Sequence, residues 1–317
     1  MFNRVTCVLY TLLALSTSAC AMPTGVTQSG SITAPLIDEA SGLAVSRLND
    51  QIFWTHNDSG DSARLFAIDN RGNQLVTLNI SGVRNTDWED IASFVYQGEP
   101  YLLIADIGDN QAQRSQYQLH LIKEPDLSQF NGQKELSVKP IWSMSFTYPD
   151  GAHDSEAVAV DVAGQKILLL TKRDTVPILY ELPLISPVSE QGQVKSALII
   201  NKQAKRLGEI APLPTAILDY ASVYTWIGFA GKPTAMDISA DGLSAVVLTY
   251  THAFYYTQTQ SGDWLALFSS TPKQINLPSI IQAEAIGFSQ DGQSVYITSE
   301  RLPAPLYKVD LNVYRAQ

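Results

Sequence analysis

One short arrangement recurs along this chain and constrains its fold more than any other feature. It consists of one or more carboxylates followed at once by small and aliphatic residues. The fullest version is 87–92, Asp-Trp-Glu-Asp-Ile-Ala, and looser copies begin at Glu39, Asp154 and Gln282. A further copy, from Lys232, has lost its leading carboxylate. A unit that recurs at intervals of tens of residues predicts a repeat architecture before it predicts any chemistry.

Short segments of alternating apolar and polar residues surround each copy, with Asn-Asp, Ser-Gly and Asp-Gly turns between them. This pattern predicts short β-strands in sets of four, the composition of a propeller blade. Two of the hairpin turns, Asp241-Gly242 and Asp291-Gly292, occupy matching positions after the first strand of their units. We therefore predict an all-β protein folded as a β-propeller. The aliphatic anchors of its units are Leu43, Ile91, Val158, Met236 and Ile286.

The spacing of these anchors predicts the number of blades. Successive anchors lie 48, 67, 78 and 50 residues apart, which favours five blades, and the long third interval leaves six open. The last unit has three strands, so we predict that a lone strand at 30–34 supplies the fourth and closes the ring. Outer strands are predicted within 196–210 and at 264–269, and the one candidate helix is at 216–226.

Residues 1–20 form an export signal, with a short basic start, an apolar stretch at 5–15 and a small-residue end. Ordinary signal-peptidase cleavage at 19–21 and a lipoprotein box with Cys20 as the lipidated residue are both open. The second is favoured because it gives a use to the one cysteine of the exported chain. We expect residues 21–317 to form a single propeller domain that is periplasmic, anchored to the outer membrane as a lipoprotein, or secreted.

The charge of the chain limits its partners. The formal net charge of the 317 residues is −10, and no basic patch supplies the phosphate neutralisation that nucleic-acid binding requires. Cys7 and Cys20 are the only cysteines, so the folded domain has neither disulfides nor thiolate metal sites. We expect a monomer that contacts a membrane only through a lipid anchor and binds a small anionic ligand or a protein.

Acidic residues recur at two positions of the repeat, before the inner strands and after the second strands, which open on the same rim of a propeller. Strand alternation places Glu89 on the side of Ile91 and Asp90 on the other. Turn carboxylates commonly satisfy backbone N–H groups, but so many facing one channel repel one another unless protons or a cation neutralise them. Oxygen ligands suit Ca²⁺ or a related divalent ion. The predicted metal ligands are Glu39, Asp58, Asp61, Asp87, Glu89, Asp106, Asp109, Asp154, Glu156 and Glu284.

Basic and histidine side chains are also predicted at this rim. The basic residues either pair with the acidic ring or bind an anionic ligand; they are Arg84, Arg114, Lys172, Arg173 and Arg301. His153, directly before Asp154, is the best candidate proton carrier, and Glu89 is the second catalytic candidate. His56 and His252 fall near the same face, where a packing or turn role is the alternative. His120 lies within a strand and is interpreted as structural.

The ordered series Asn-Asp-Ser-Gly-Asp (57–61), Asp-Trp-Glu-Asp-Ile-Ala (87–92) and Asp-Ile-Gly-Asp-Asn (106–110) resembles a family of exported bacterial propellers. The resemblance covers most of the mature chain and implies the fold without implying an activity. More distantly, the acidic rim is similar to those of propeller phytases and gluconolactonase-type enzymes, which implies Ca²⁺ or a related ion. No phytase motif can be placed residue by residue, so no catalytic residue is carried over.

Two functions remain open at this point. One is a metal-dependent hydrolase of a small anionic molecule such as a phosphoester, and the other is a non-catalytic propeller with structural Ca²⁺ that binds a ligand or a protein. The chain contains no Gly-x-Ser-x-Gly elbow, P-loop, Rossmann glycine pattern or His-Glu-x-x-His motif that would favour another chemistry. Fold alone does not decide between them, because propellers perform both roles.

Overall fold

The structure is a computed structural model that describes residues 22–130, 132–187, 198–214, 231–260, 262–278 and 280–315. The export signal with Cys20 and the candidate helix at 216–226 lie outside these residues. Among the helices of the described segments, none has the length and apolarity that a membrane span requires. The described residues form an all-β propeller with five blades, as the sequence predicted.

The strands follow one another blade by blade. The closing strand is β1 (Val26–Ile32). Blade 1 contains β2 (Ala40–Val45), β3 (Ile52–Asn57), β4 (Arg64–Asp69) and β5 (Gln74–Ile80). Blade 2 contains β6 (Trp88–Tyr96), β7 (Glu99–Asp106) and β8 (Tyr117–Lys123), and then, after β9 (Glu135–Val138), β10 (Trp142–Thr147). Blade 3 contains β11 (Ser155–Asp161), β12 (Lys166–Thr171) and β13 (Ile178–Pro183), and then, after β14 (Leu198–Gln203), β15 (Lys205–Glu209). Blade 4 contains β16 (Pro233–Ile238), β17 (Ser244–Thr249), β18 (His252–Thr257) and β19 (Lys273–Asn276). Blade 5 contains β20 (Ala283–Phe288), β21 (Ser294–Ser299) and β22 (Ala304–Asp310).

The ring closes through its N-terminal strand. β1 pairs antiparallel with β22 and becomes the fourth strand of blade 5, which confirms the predicted closure. The inner strands β2, β6, β11, β16 and β20 contact one another in ring order, and β20 returns to β2. Because the first and last strands share one sheet, separating either terminus breaks a blade rather than a loop.

Two strands leave their own blade and explain the uneven spacing of the repeats. β9 pairs in parallel with β5 on the outer edge of blade 1, and β14 pairs in parallel with β10 on the outer edge of blade 2. The second interval therefore contains β9, and the third contains β14. The third interval, whose length had left a sixth blade open, is long partly because it contains β14. Both β9 and β14 cover sheet edges that would otherwise be exposed.

The outer strand of blade 4 was placed wrongly by the sequence pattern. Residues Trp264–Phe268 form a helix, α1, and the outer strand is β19 instead. The Asp263 side chain caps the helix by accepting a hydrogen bond from the Ala266 N–H at 3.0 Å. The buried residues of α1 are Trp264, Leu267 and Phe268, and their i, i+3, i+4 spacing is the helical signal that the apolar run concealed.

The apolar core consists of clusters between neighbouring blades, and the described residues form one such cluster at each of the five junctions. Trp54 and Trp88 are buried between blades 1 and 2, Trp142 between blades 2 and 3, and Trp264 between blades 3 and 4. Burial of one large apolar side chain contributes about 1.5–3 kcal/mol. The junctions, rather than a single central core, therefore carry the hydrophobic stabilisation, and the channel axis is left to polar groups.

Buried carboxylates connect the inner strands across the channel. The Asp90 Oδ2 atom accepts hydrogen bonds from Val158 N in blade 3 at 2.9 Å and from Met236 N in blade 4 at 3.3 Å. Asp237 accepts from Phe288 N in blade 5 at 2.8 Å in the same way. The Asp90 side chain therefore points towards blades 3 and 4, whereas Ile91 packs between blades 1 and 2.

Replacement of Asp90 tests this bridging role. We expect Asp90→Ala to lower the free energy of unfolding by roughly 3 kcal/mol, because each buried N–H left without an acceptor costs about 1–3 kcal/mol. The control is Asp50→Ala, which removes an exposed side chain bonded only to Gln51 and is expected to stay within about 0.5 kcal/mol. Urea unfolding followed by fluorescence measures both, and equal transition midpoints would contradict the role.

Candidate functional site

Each inner strand begins with a β-bulge at the same place in the repeat. The pairing of β2, β6, β11, β16 and β20 with their second strands skips one residue near the start of each strand. A bulge leaves that residue unpaired and turns its side chain away from the regular alternation. The five bulged residues, one from each blade in order, are Ser41, Glu89, Glu156, Thr234 and Glu284.

Two further positions of the repeat join this ring. The residue two places before each bulge is, in order, Glu39, Asp87, Asp154, Lys232 and Gln282. The residue after each second strand is, in order, Asp58, Ile107, Lys172, Tyr250 and Glu300. Backbone hydrogen bonds connect the two positions in the same blade, for example from Asp58 N to Glu39 O at 3.0 Å and from Lys172 N to Asp154 O at 2.9 Å. These fifteen residues define what we call the channel mouth.

Carboxylates from three blades meet at the channel mouth. Oxygen atoms of Asp58, Asp87 and Glu89 lie within 4.8 Å of one another, and so do oxygen atoms of Glu89, Asp154 and Glu156. Glu89, which is 3% exposed, belongs to both groups. Asp58 and Asp87 are partly exposed, whereas Asp154 and Glu156 are buried. The bulge therefore places one glutamate between an open and a closed group of oxygen ligands.

The backbone of the Asp-Ile-Gly-Asp loop approaches these carboxylates closely. A Cβ atom at Gly108 would meet Glu89 Oε1 and the Asp87 carboxylate well inside van der Waals contact, at 2.0 and 2.6 Å. Only glycine leaves room for both carboxylates here. The position of this loop against the mouth therefore explains the glycine between Asp106 and Asp109.

One cation from the protein already lies inside the cluster. The Lys172 ammonium is buried, makes a short ion pair with Glu156 and donates to the Tyr250 hydroxyl at 2.8 Å. Burial alone would lower the pKa of Lys172, but the neighbouring Glu156, Glu284 and Glu89 carboxylates raise it. Lys172 therefore stays charged and neutralises part of the mouth.

The remaining negative charge affects the protonation of the acids. Burial and the nearby Asp58 raise the pKa of Asp87 from 3.8 to about 6. Burial, followed by repulsion from Glu156 and Asp58, raises the pKa of Glu89 well above its usual range, and burial similarly raises that of Glu284. The mouth is thus built to hold either protons or an added cation.

Several predicted metal ligands have their oxygen atoms occupied by protein donors. Asp109 accepts from the N–H groups of Gln113 and Arg114 and from the Tyr117 hydroxyl, at 2.7–2.9 Å. Asp106 pairs with Arg114 at 2.7 Å and accepts from Thr86 N at 3.1 Å. Their geometry is that of turn and loop acceptors, and they do not join the two groups of carboxylates.

The other predicted acids fall around the mouth. Asp61 pairs with Arg64 at 2.7 Å and accepts from the Asn57 amide at 3.0 Å. Glu39 is exposed at the rim, where burial and the neighbouring Asp38 raise its pKa. Glu284 is buried on the blade 5 side and interacts electrostatically with Lys172. Asp58, Asp87, Glu89, Asp154 and Glu156 are therefore the predicted ligands that the fold gathers, in two groups that share Glu89.

The predicted basic residues separate into two groups. Arg173 pairs with Asp154 at 2.6 Å, and Arg114 pairs with Asp106 and donates to Gly108 O at 2.8 Å, so both support the mouth. Arg301 is exposed at the rim after β21, with its N–H bonded to Asp38 O at 3.2 Å. Arg84 lines a different cavity, between blades 1 and 2.

The histidines do not reach the two carboxylate groups. Both ring nitrogens of His153 face carboxylates, Nδ1 at 3.0 Å from Asp174 and Nε2 at 3.2 Å from Asp150. His56 is fully buried, with Nδ1 3.0 Å from Asn57 O, and burial lowers its pKa to about 4. His252 approaches the Thr251 hydroxyl at 2.9 Å. His153 is thus held in a network of its own beside the mouth.

Among the mouth residues that the sequence reasoning missed are Ser41, Thr234 and Tyr250. The Ser41 hydroxyl donates to Glu89 O at 2.9 Å, and the Thr234 hydroxyl donates to Ala283 O at 2.8 Å, so each connects its blade to the next inner strand. The Tyr250 hydroxyl accepts a hydrogen bond from the Lys172 ammonium at 2.8 Å. Aligning the residue that follows each second strand would have placed Tyr250 beside Asp58 and Lys172.

Comparison with known proteins assigns no family to this chain. No family model matches the chain, and no curated protein matches it. Similar solved structures include a gluconolactonase from Xanthomonas campestris, with 10% identity and a TM-score of 0.41 over 86% of this chain and 71% of that one. A PQQ-bound aldose sugar dehydrogenase from Streptomyces coelicolor has 11% identity and a TM-score of 0.43 over 91% and 99%. A luciferin-regenerating enzyme has 9% identity and a TM-score of 0.43 over 90% and 94%.

The gluconolactonase and the sugar dehydrogenase are propeller enzymes. At these identities the likeness concerns the fold alone and assigns no site residue to this chain. The resemblance to exported bacterial propellers therefore stays a prediction, and the class of protein that the fold defines is a five-bladed β-propeller with an acidic channel mouth.

The raised pKa of Asp87 predicts an unusual pH dependence in the presence of a chelator. A carboxyl that holds its proton more tightly when folded stabilises the protein below its unfolded pKa, and this stabilisation is lost as the pH rises. Relative to Asp87→Asn, the wild type is expected to lose stability between pH 4 and about 6, as the carboxyl ionises.

Asp69→Asn is the matched control with the opposite sign. Burial alone would raise the pKa of Asp69, but hydrogen bonds from Asn73 and Arg71 lower it below 3.8. Relative to this variant, the wild type should lose stability as the pH falls towards and below 3.8. Melting temperatures across pH 3–7 measure both differences, and a constant difference between wild type and Asp87→Asn would contradict the charge repulsion assigned to the mouth.

Proposed function

We propose that this protein binds a divalent cation, with Ca²⁺ as the best fit, at the channel mouth, where the ion holds and activates a small anionic substrate for hydrolysis. The observation that carries the proposal is the shared position of Glu89. Its carboxylate belongs both to the open group with Asp58 and Asp87 and to the closed group with Asp154 and Glu156. One ion bridging these groups would be held by protein on one side and accessible on the other.

The donor set favours a hard cation. All the ligands gathered within 4.8 Å of one another are carboxylate oxygens, with neither imidazole nor thiolate among them. Such donors suit Ca²⁺, Mg²⁺ or Mn²⁺ rather than zinc or copper. The two groups contain five carboxylates, and Lys172 and Arg173 pair with two of them, so three negative charges are unbalanced when every acid is ionised. The larger, more flexible coordination of Ca²⁺ tolerates the mixed burial of these oxygens.

An accessible side is what an enzyme requires. Asp87 lines an open depression of about 420 Å³ together with Asp109 and Arg114. A cation held by Asp58, Asp87 and Glu89 would face this depression and keep a coordination position for water or substrate. There it would polarise a phosphoryl or carbonyl oxygen and lower the pKa of a bound water. A phosphoester is the preferred substrate class, because its charge is complementary to the metal.

A second function is favoured by a different observation. Lys172 already provides a buried positive charge at Glu156 and Tyr250, so part of the mouth is neutralised without a metal. This arrangement fits a non-catalytic propeller in which Ca²⁺ completes the scaffold and the rim binds a ligand or protein. In both cases we retain the exported location that residues 1–20 predict, with Cys20 as the lipid-anchored residue, and outside the cytosol even submillimolar Ca²⁺ affinity suffices.

Calcium titration tests the site itself. We expect Ca²⁺ to raise the melting temperature. The free energy of unfolding should increase by about 2.7 kcal/mol when the Ca²⁺ concentration reaches 100 times the dissociation constant. Because the ion displaces protons from Asp87 and Glu89, binding should weaken from pH 7.5 to pH 5.5. Glu89→Gln should weaken binding at least about tenfold. Glu99→Gln, which changes an exposed glutamate paired with Lys123, is the control and should bind as the wild type does.

A substrate screen separates the two functions. Phosphoester, lactone and ester substrates are assayed with Ca²⁺, Mg²⁺ and Mn²⁺, for the wild type and for Asp87→Asn. We expect metal-dependent turnover of a phosphoester that falls by a factor of about 100 or more in the variant, since loss of a metal ligand removes several kcal/mol of transition-state stabilisation. Calcium binding without turnover of any substrate would favour the scaffold function and sink the hydrolase.

A further inference from the structure

A second cavity lies between blades 1 and 2, away from the carboxylate groups of the mouth. Its volume is about 540 Å³, within the range of small-molecule pockets. One wall is the segment that links β5 to β6, residues 81–86, and the opposite wall is the outer half of blade 2. The link between β9 and β10, with Lys139 and Pro140, borders it.

The wall from blade 2 is unexpectedly polar. Strand register places Ile199, Ser143 and His120 side by side across β14, β10 and β8, and it places Ser145 beside Gln118 in the adjacent row. A sheet face between two blades normally buries apolar side chains, as Ile104 and Ile122 do on this sheet. The polar side chains here can exchange hydrogen bonds with a bound molecule.

The floor of the cavity contains a buried polar atom without a partner. His120 is fully buried, and its Nδ1 atom lies 2.8 Å from the Ser143 hydroxyl. Its Nε2 atom has no hydrogen-bond partner among the residues that the structure describes. Burial lowers the pKa of His120 to about 4, so the ring is neutral at pH 7. A neutral imidazole that accepts the Ser143 proton at Nδ1 carries its own proton at Nε2 and is a hydrogen-bond donor.

The charge of the cavity is opposite to that of the protein. Arg84 and Lys139 are exposed at its border, and neither forms an ion pair among the described residues. No aspartate or glutamate lines it in the part of the chain that the structure describes. In a protein with a net charge of −10, two unpaired cations around a carboxylate-free cavity are a local site for an anion.

Apolar side chains complete the lining. Val83 and Pro140 lie near the two cations, and Ile199 of β14, which is 75% exposed, lies at the outer end. Large aliphatic side chains at this exposure are stabilised by an apolar group laid against them. The cavity thus combines cationic, hydroxyl and aliphatic surfaces. These surfaces are complementary to the charged head, polar atoms and apolar tail of an amphiphilic anion.

We propose that this cavity, which we call the blade 1–2 pocket, binds an organic anion with an aliphatic or aromatic tail. Arg84 and Lys139 hold the carboxylate or phosphate headgroup at the entrance. The hydroxyls of Ser143 and Ser145 and the Gln118 amide bond its polar atoms, and Ile199 covers the tail. Binding here is independent of the cation at the channel mouth, because no mouth residue lines the pocket.

The probes are octanoate, octyl phosphate and octanol, titrated into the full chain by isothermal calorimetry at low salt. The first two distinguish a carboxylate from a phosphate headgroup, and octanol carries the same tail without charge. The double variant Arg84→Ala/Lys139→Ala removes both cations. Arg71→Ala/Lys308→Ala removes the same charge from exposed positions of blades 1 and 5 and is the matched control.

We expect one molecule of octanoate or octyl phosphate to bind per chain, at least tenfold more tightly than octanol. The Arg84→Ala/Lys139→Ala variant should weaken this binding at least tenfold, and the control should not change it. Ile199→Ser should weaken the binding of both anions by a smaller factor and leave the ratio of their two affinities unchanged. The proposal is overturned if neither anion binds saturably, if octanol binds as tightly, or if both double variants bind alike.

Discussion

The structure depends on how neighbouring blades are joined at the axis, because each blade is a separate sheet and no backbone ladder connects one inner strand to the next. Asp90 provides this connection for blades 2, 3 and 4, and Asp237 provides it for blades 4 and 5. The hydroxyls of Ser41 and Ser93 join blades 1 and 2, because Ser41 donates to Glu89 O and Ser93 donates to Val45 O. A polar axis is therefore a structural requirement of this propeller, and the pairing of β1 with β22 completes the ring.

The polar axis also places carboxylates close together at the channel mouth, where they repel one another. Bulges at equivalent positions bring Glu89, Glu156 and Glu284 towards one another from three blades. Burial and mutual repulsion raise the pKa of Glu89 well above its usual range, and Lys172 balances only part of the charge. A divalent cation would complete the balance and release the protons. The proposed function is thus based on an excess of negative charge that the fold creates at the channel mouth.

Much of the architecture could be predicted from the sequence because it depends on local pattern. Alternation and turn residues located the inner strands, and the equivalent turns at Asp241 and Asp291 show the same hydrogen bonds from Ser239 and Ser289 at 2.6 Å. Outer strands were less predictable. The segment 264–269 was expected to be a strand and contains a helix, and β9 and β14 pair with the preceding blade, since partner choice at a sheet edge depends on which edge is free.

The sequence by itself determined the repeat, the propeller and the concentration of carboxylates at one rim, because hydrophobic periodicity and turn chemistry are written in neighbouring residues. Only the tertiary structure decided which of ten candidate acids meet. Bulges, which have no distinct sequence signal here, turned Glu89 between two groups of oxygens, while donors remote in sequence or on an adjoining loop occupied Asp106 and Asp109. Register across β14, β10 and β8 places His120 in a separate cavity, and the link between β5 and β6 brings Arg84 to the same cavity. Distances between residues far apart in the chain are set by packing, and no local pattern encodes them.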